Sequence, residues 1–195
     1  MSVAARGELK SELLRKCIHL SIALVPTLAA FDLSNTALLL MVGILFYTSA
    51  ESLRFLGFNL PFISSVTASV LRKREYGRFA LGPVTLGFGA LFALLLFPSR
   101  IAAAAIYALA FGDSVPVLIG KFLGRIRPAL LLGKSLEGTL AGFAVVFLTS
   151  FLVFHEWKTA LAVGFASFLV DILPLGDFDN LLLPLAAGIA ALAFV

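Results

Sequence analysis

Asp113 is the first residue in this chain that calls for a chemical explanation. It stands in Ala110-Phe111-Gly112-Asp113-Ser114-Val115-Pro116, within a stretch otherwise apolar enough to enter a bilayer. A carboxylate there costs about 2.5–3.5 kcal/mol on insertion scales, which marks it as a candidate for function. The plainer alternative is a proline-kinked helix whose acid caps the amides that Pro116 disturbs. Downstream lies Gly120-Lys121-Phe122-Leu123-Gly124-Arg125. Alone, Gly120 and Gly124 make a small-residue face for helix packing. With the cations Lys121, Arg125 and Arg127 around them, the same segment can gather amides about phosphate oxygens. A Walker A loop is absent.

Three further clusters carry polar chemistry. In Gly133-Lys134-Ser135-Leu136-Glu137-Gly138, Ser135 is placed to cap a helix whose N-terminal amides attract an anion. Lys134 would add a point charge, and Glu137 suits a metal or a ribose hydroxyl. Gly176-Asp177-Phe178-Asp179-Asn180 supplies oxygens of the kind that hold Mg²⁺, although such residues also form turns. Near the start, Arg15, Lys16 and His19 lie together, with Arg15 and His19 on one helical face.

The elements that must position these residues are membrane helices. Of 195 residues, 61% are hydrophobic and 13% charged, against about 25% charged in soluble chains. Mean hydropathy is +1.05. A soluble domain and a disordered chain are both excluded. One cysteine, Cys17, and two histidines, His19 and His155, leave neither a disulfide framework nor a Cys- or His-rich metal centre. No cleavable signal peptide is expected, since the charged start carries Glu8 and Glu12 and no small-residue cleavage site follows.

The hydropathy pattern predicts an all-α polytopic protein with seven spans, near 16–31, 35–53, 79–98, 101–120, 137–154, 159–173 and 180–195. Several are short, so their ends are expected to be buried in protein. Residues 58–71 read as an amphipathic helix in the interface, with Phe62, Ile63, Val66 and Val70 on one face. With the N-terminus inside and the C-terminus outside, thirteen of the fifteen Lys and Arg fall on the inner side. The net charge of +4 is therefore an orientation signal and not a nucleic-acid footprint. Every polar cluster meets the same inner surface, which favours one site for an anionic ligand. No internal repeat divides the chain into inverted halves.

Taken together, these residues resemble the CTP-dependent lipid-alcohol kinases: dolichol kinase, phytol kinase and the CTP-using diacylglycerol kinase of fungi. The nucleotide motif of that family is Asp-x2-Ala-x3-Gly-x3-Gly-x8-Lys-Lys-Thr-x-Glu-Gly. Asp113, Gly120, Gly124, Lys134, Glu137 and Gly138 stand at its positions with all spacings kept. Pro116 replaces the Ala, Gly133 the first Lys, and Ser135 the Thr. Arg15-Lys16-Cys17-Ile18-His19 is similar to the family's Arg-Lys-x-x-His, and Asp179-Asn180 with Pro184 to its closing Asp-Asn-x3-Pro. The motifs thus reach from residue 15 to 184 of one membrane-embedded domain, 1–195.

The resemblance implies a Mg²⁺-dependent kinase with CTP as phosphoryl donor. Its acceptor would be a polyprenol, dolichol, phytol or geranylgeraniol, with diacylglycerol as the alternative. Phosphoryl transfer needs charge neutralisation and positioning more than covalent work. Lys121 and Lys134 would hold phosphates, within a binding set of Gly112, Gly120, Gly124, Arg125, Ser135, Glu137 and Gly138. Arg15 and Lys16 would complete the positive wall. Asp113, with Glu137 or with Asp179 and Asn180, would meet the metal. A carboxylate or His19 would accept the alcohol proton. Two other readings compete: a cytidylyltransferase making a CDP-lipid, and a small transporter. A bacterial inner membrane with a cytosolic active face is the expected location. No nucleic-acid partner is expected, and the oligomeric state is left open, with a homodimer among the options.

Overall fold

The computed structural model describes residues 3–58 and 78–195. All regular elements among them are helical: α1 (Val3–Ser21), α2 (Val25–Phe31), α3 (Leu33–Phe55), α4 (Gly82–Leu96), α5 (Ser99–Phe122), α6 (Leu136–Phe154), α7 (Trp157–Ile172) and α8 (Asp179–Leu192). Short 3₁₀ turns at Ile22–Leu24 and Ala129–Leu131 complete the set. Each of the seven apolar segments expected from sequence coincides with helix. The expected interfacial helix near 58–71 lies outside the described residues, apart from Phe58.

Leu9–Phe31, Leu33–Phe55, Ser99–Phe122 and Leu136–Phe154 are long and apolar enough to cross a membrane. Gly82–Leu96 and Asp179–Leu192 are apolar but shorter, and α7 has 16 residues with Asp171 near its end. At about 1.5 Å per residue such helices fall short of a hydrocarbon core of about 30 Å. Seven full spans are therefore more than the described helices supply by length alone. The short helices lie against longer ones instead, as their truncated apolar runs require.

Local sequence explains the breaks. Pro26, in the first turn of α2, carries no N–H and crowds the carbonyl four residues back, so the chain tightens to 3₁₀ at Ile22–Leu24 before resuming. Asp32 caps α3 through the Asn35 amide at 2.9 Å. Ser135 caps α6 through the Gly138 amide at 3.1 Å, as its position in the sequence predicts. Glu156 caps α7, accepting from the amides of Lys158 and Thr159.

The core is built around α5. Ala102, Ala104, Ala105, Ile106, Ala108, Leu109 and Ala110 are all sealed from solvent. Leu86, Ala90 and Ala93 of α4, Val146 of α6, Val163 of α7, and Leu183, Ala187 and Ala191 of α8 pack into the same cluster. Lipid gives helices no hydrophobic reason to associate, so close van der Waals packing over small residues must do it. The alanine face of α5 allows that approach. Leu38, Leu39, Val42, Leu45 and Phe46 of α3 remain exposed, an apolar flank suited to lipid.

Two features hold the frame in register. Pro116 interrupts α5, and its ring seats against Gly142 of α6 so closely that a Cβ on that glycine would meet Pro116 Cγ at 2.3 Å. Glu51, fully buried at the end of α3, receives Arg54 Nε at 2.7 Å and Nη2 at 2.6 Å. The same carboxylate accepts the Ala80 amide at 2.8 Å, and Arg54 reaches the Arg78 carbonyl at 3.1 Å. The returning chain is thereby fastened to α3 just before α4 begins.

Candidate active site

Two polar groups form side by side where α1, α5, α6, α7 and α8 meet. The first joins α1 to α5. Lys16 Nζ donates to Asp113 Oδ2 at 2.6 Å and to the Asp113 carbonyl at 2.7 Å. His19 Nδ1 lies 2.6 Å from the same Oδ2. Lys16 and His19 reach one carboxylate because three residues apart on a helix places them on one face. Only 1% of the Lys16 side chain and 12% of that of Asp113 is exposed. The costly acid foreseen in sequence is therefore matched by a cation buried more deeply still. Asp179, the first residue of α8, lies within electrostatic reach of Asp113, Lys16 and His19. Arg15 is turned elsewhere and pairs with Glu12 on its own helix.

The second group is a cleft of about 210 Å³ between the end of α5, the start of α6 and α7. Lys121, Arg127 and Lys134 bring positive charge to it, beside Ser135 and Gly120. Its volume is below the roughly 300–1,000 Å³ of whole small-molecule pockets. Pro116 and Val117 also line it, and they follow Asp113 by one helical turn. Lys134 Nζ donates to Asp171 Oδ1 at 2.8 Å and also contacts the Asp171 carbonyl. Asp171 in turn lies within electrostatic reach of Asp113 and Lys16. The two groups thus form one electrostatic unit.

The motif glycines make this junction by packing. A Cβ on Gly124 would stand 2.3 Å from the Gly120 carbonyl oxygen and 2.5 Å from Ser135 Oγ. One on Gly138 would stand 2.4 Å from the Pro116 carbonyl oxygen, and one on Gly112 would touch Val146 at 3.0 Å. Gly120 lies within α5 and is buried, so its amide belongs to the helix and not to a loop around phosphate. The glycine spacing therefore brings α5 and α6 together, and the cations come with them.

Glu137 and Asn180 are also drawn into structure. Glu137 Oε1 accepts the amides of Arg125 and Ile126 at 2.9 and 3.1 Å, clamping the loop after α5 onto the start of α6. Arg127 straps the same loop from inside, donating to the Gly133 and Gly120 carbonyls at 2.7 and 3.3 Å. The Arg125 side chain is exposed. Asn180 Nδ2 donates to Thr85 Oγ1 at 3.0 Å and to the Gly82 carbonyl at 3.2 Å, which ties α8 to α4. Among the described residues no three His, Cys, Asp or Glu side chains are gathered closely enough to hold a metal ion by themselves.

Asp171 stands outside every motif in the sequence. Its signal is of the same kind as that of Asp113, a carboxylate inside the expected span 159–173. The pairing of Lys16 with Asp113, 97 positions away, likewise leaves no mark in the sequence, because it depends on the contact between α1 and α5.

Compared with characterised proteins, the chain is 31% identical over 142 residues to the CTP-dependent diacylglycerol kinase 1 of Eremothecium gossypii. The alignment covers 70% of this chain and 44% of that protein, so the chain spans less than half of its relative's length. No protein-family model matches the chain, and no solved structure does.

Proposed function

We propose, from the premise that this chain belongs to the CTP-dependent lipid kinases, that it transfers the γ-phosphoryl group of CTP to the hydroxyl of a membrane lipid. The products are the lipid monophosphate and CDP. The observation that carries this reading is the adjacency of the buried Lys16–Asp113–His19 group and the cleft lined by Lys121, Arg127 and Lys134. One holds a proton-accepting pair, the other gathers positive charge, and phosphoryl transfer requires both within a short distance.

In this reading Lys121, Lys134 and Arg127 bind the triphosphate, and the size of the cleft leaves ribose and base toward its open side. His19 Nδ1 faces Asp113 Oδ2 at 2.6 Å, leaving Nε2 as the ring atom that accepts the proton of the lipid hydroxyl. Lys16 holds Asp113 in place through its carboxylate and its backbone carbonyl. Arg15 and Arg125 act from the periphery. Mg²⁺, expected from the resemblance, would offset the negative charge that builds on the phosphate oxygens. The residues fit a metal that arrives with the nucleotide, since such ions are usually met by one or two carboxylates plus phosphates. Of the residues expected to meet it, the carboxylates Asp113 and Asp179 are the ones left to do so in this reading, whereas Glu137 and the Asn180 amide serve the loop clamp and the tie to α4.

The acceptor is a lipid with one hydroxyl at the membrane surface. An isoprenoid alcohol such as a polyprenol, dolichol, phytol or geranylgeraniol fits the motif set. The similarity to a diacylglycerol kinase brings diacylglycerol forward beside it. The exposed apolar flanks of the bundle admit either chain from the bilayer. Seven membrane-embedded helical segments with the N-terminus and the site on the cytosolic side, in a bacterial inner membrane, remain our topological proposal, and a homodimer is compatible with it.

The purified protein with γ-³²P-labelled CTP or ATP, Mg²⁺ and each acceptor in turn tests the reading. Label is expected in the lipid phase from CTP and one acceptor class, and is lost in Asp113→Asn and Lys134→Ala. Label from ATP alone would refute the donor. Release of pyrophosphate from CTP with phosphatidate, and no lipid label, would point to a cytidylyltransferase instead.

A further inference from the structure

Asp171 is the carboxylate that the proposed reaction leaves without a task. Its place is unusual for an acid, because it lines the same cleft as Lys121, Arg127 and Lys134. A bare carboxylate there repels any polyphosphate that the three cations attract. Its two oxygens differ. Oδ1 takes Lys134 Nζ at 2.8 Å, while Oδ2 is buried and has no hydrogen-bond partner. Only 13% of the Asp171 side chain is exposed, against 37% for Lys134. A buried carboxylate oxygen with no donor is costly to maintain, and it is the kind of group that a divalent cation satisfies.

We infer that the Lys134–Asp171 pair is a latch exchanged on ligand entry: Lys134 leaves the carboxylate for a phosphate oxygen, and Asp171 receives in its place the divalent cation carried by the polyphosphate. Each charged group exchanges one partner for another of the same sign, so neither side chain is left uncompensated. The exchange also gives the cleft selectivity. A metal-free polyphosphate must compete with Asp171 for Lys134 and meets a repelling carboxylate, whereas the metal complex supplies the ion that removes both obstacles. Lys134 is the partner suited to move, since its side chain is the more exposed and its stem flexible. This inference rests on the phosphoryl-transfer reading only in placing a polyphosphate in the cleft, and does not depend on the base or the acceptor.

The test is equilibrium binding of CTP and of inorganic tripolyphosphate to the full-length protein in detergent, each with and without Mn²⁺. Wild type is expected to bind the Mn²⁺ complex at least tenfold more tightly than the metal-free ligand. In Asp171→Asn the metal-free ligand binds severalfold more tightly than to wild type, and the enhancement by Mn²⁺ falls to about one. In Lys134→Gln overall affinity drops but the enhancement persists, because the carboxylate remains. Should Asp171→Asn fail to fold, the Lys134→Gln ratio decides: persistence supports the latch and its loss overturns it. Enhancement unchanged in a folded Asp171→Asn, or absent from wild type, also overturns it. Mn²⁺-enhanced binding of tripolyphosphate without binding of CTP would leave the latch standing and remove the nucleotide assignment. Binding of neither ligand would remove both.

Discussion

Replacing Asp113 by Asn tests whether the centre of this bundle is held by charge. The substitution keeps side-chain size and one oxygen but removes the anion that faces Lys16 Nζ at 2.6 Å, with only 1% of the Lys16 side chain exposed. Removing one partner of a buried ion pair costs about 3–5 kcal/mol, mostly because the other charge is stranded. Asn retains an acceptor, and Lys16 keeps the Asp113 backbone carbonyl at 2.7 Å, so the lower end applies. A loss of about 3 kcal/mol is roughly a hundredfold shift in the unfolding equilibrium. Adding Lys16→Met removes the stranded charge while keeping the volume of the stem. The double variant is then expected to recover to within about 1 kcal/mol of wild type, as apolar replacements of buried pairs commonly do. Reversible unfolding by SDS in mixed micelles, followed through the single tryptophan Trp157, gives all three values. A double variant no more stable than Asp113→Asn alone would refute the reasoning. The phosphoryl transfer proposed for this site should be absent from both variants, so that recovery of stability without recovery of activity separates the proposed chemical role of Asp113 from its structural one.

Four further substitutions have outcomes that follow from the geometry. Gly138→Ala forces a Cβ to within 2.4 Å of the Pro116 carbonyl oxygen and should cost about 1–3 kcal/mol of stability as an overpacked junction. Gly133→Ala meets no atom but inherits a backbone φ of +91°, so its smaller loss, about 1 kcal/mol, comes from backbone strain alone; unfolding midpoints measured side by side rank the two. Ser135→Ala removes the cap of α6 and should cost about 1 kcal/mol, with Ser135→Thr recovering most of it. Hydrogen bonds from the Thr159 amide and hydroxyl, then the Lys158 amide, hold Glu156 below the usual carboxylate range. Its stabilisation is complete above the unfolded value of about 4.3 and disappears as pH falls through the lower folded value. Glu156→Gln should therefore differ from wild type near neutrality and converge with it in acid, which melts across that range will show.

What was legible in the sequence was what each residue announces locally. Hydropathy located seven helical segments, Ser135 declared a helix start, and Asp113 stood out as a charge among apolar neighbours. The partner of that charge was not legible. Lys16 belongs to α1, and its meeting with α5 depends on the crossing of two helices, a property of packing and not of spacing. The glycines illustrate the same limit. Their positions fit the nucleotide motif, yet at Gly124 and Gly138 the space is filled by Ser135 and by the backbone around Pro116. The motif is therefore largely a recipe for bringing two helix ends together. In the sequence, Glu137 within Lys-Ser-x-Glu-Gly suits a metal or a ribose hydroxyl. The loop amides it accepts exist only once the chain after α5 has turned back.

The seating of the Pro116 ring against Gly142 has an evolutionary corollary. A side chain at 142 and a ring at 116 are mutually exclusive, for a Cβ there would meet Pro116 Cγ at 2.3 Å. Any lineage that carries alanine at the place of Pro116, as the lipid-kinase motif does, is released from that restriction and can accept a larger residue where this chain has Gly142. The two positions are expected to drift together, with proline permitted only where the facing helix offers glycine. A chimera that imported the motif's alanine would leave a void that Gly142→Ala could fill. One that imported a bulkier residue at 142 while keeping Pro116 would push α5 and α6 apart, and with them the cleft that their ends enclose.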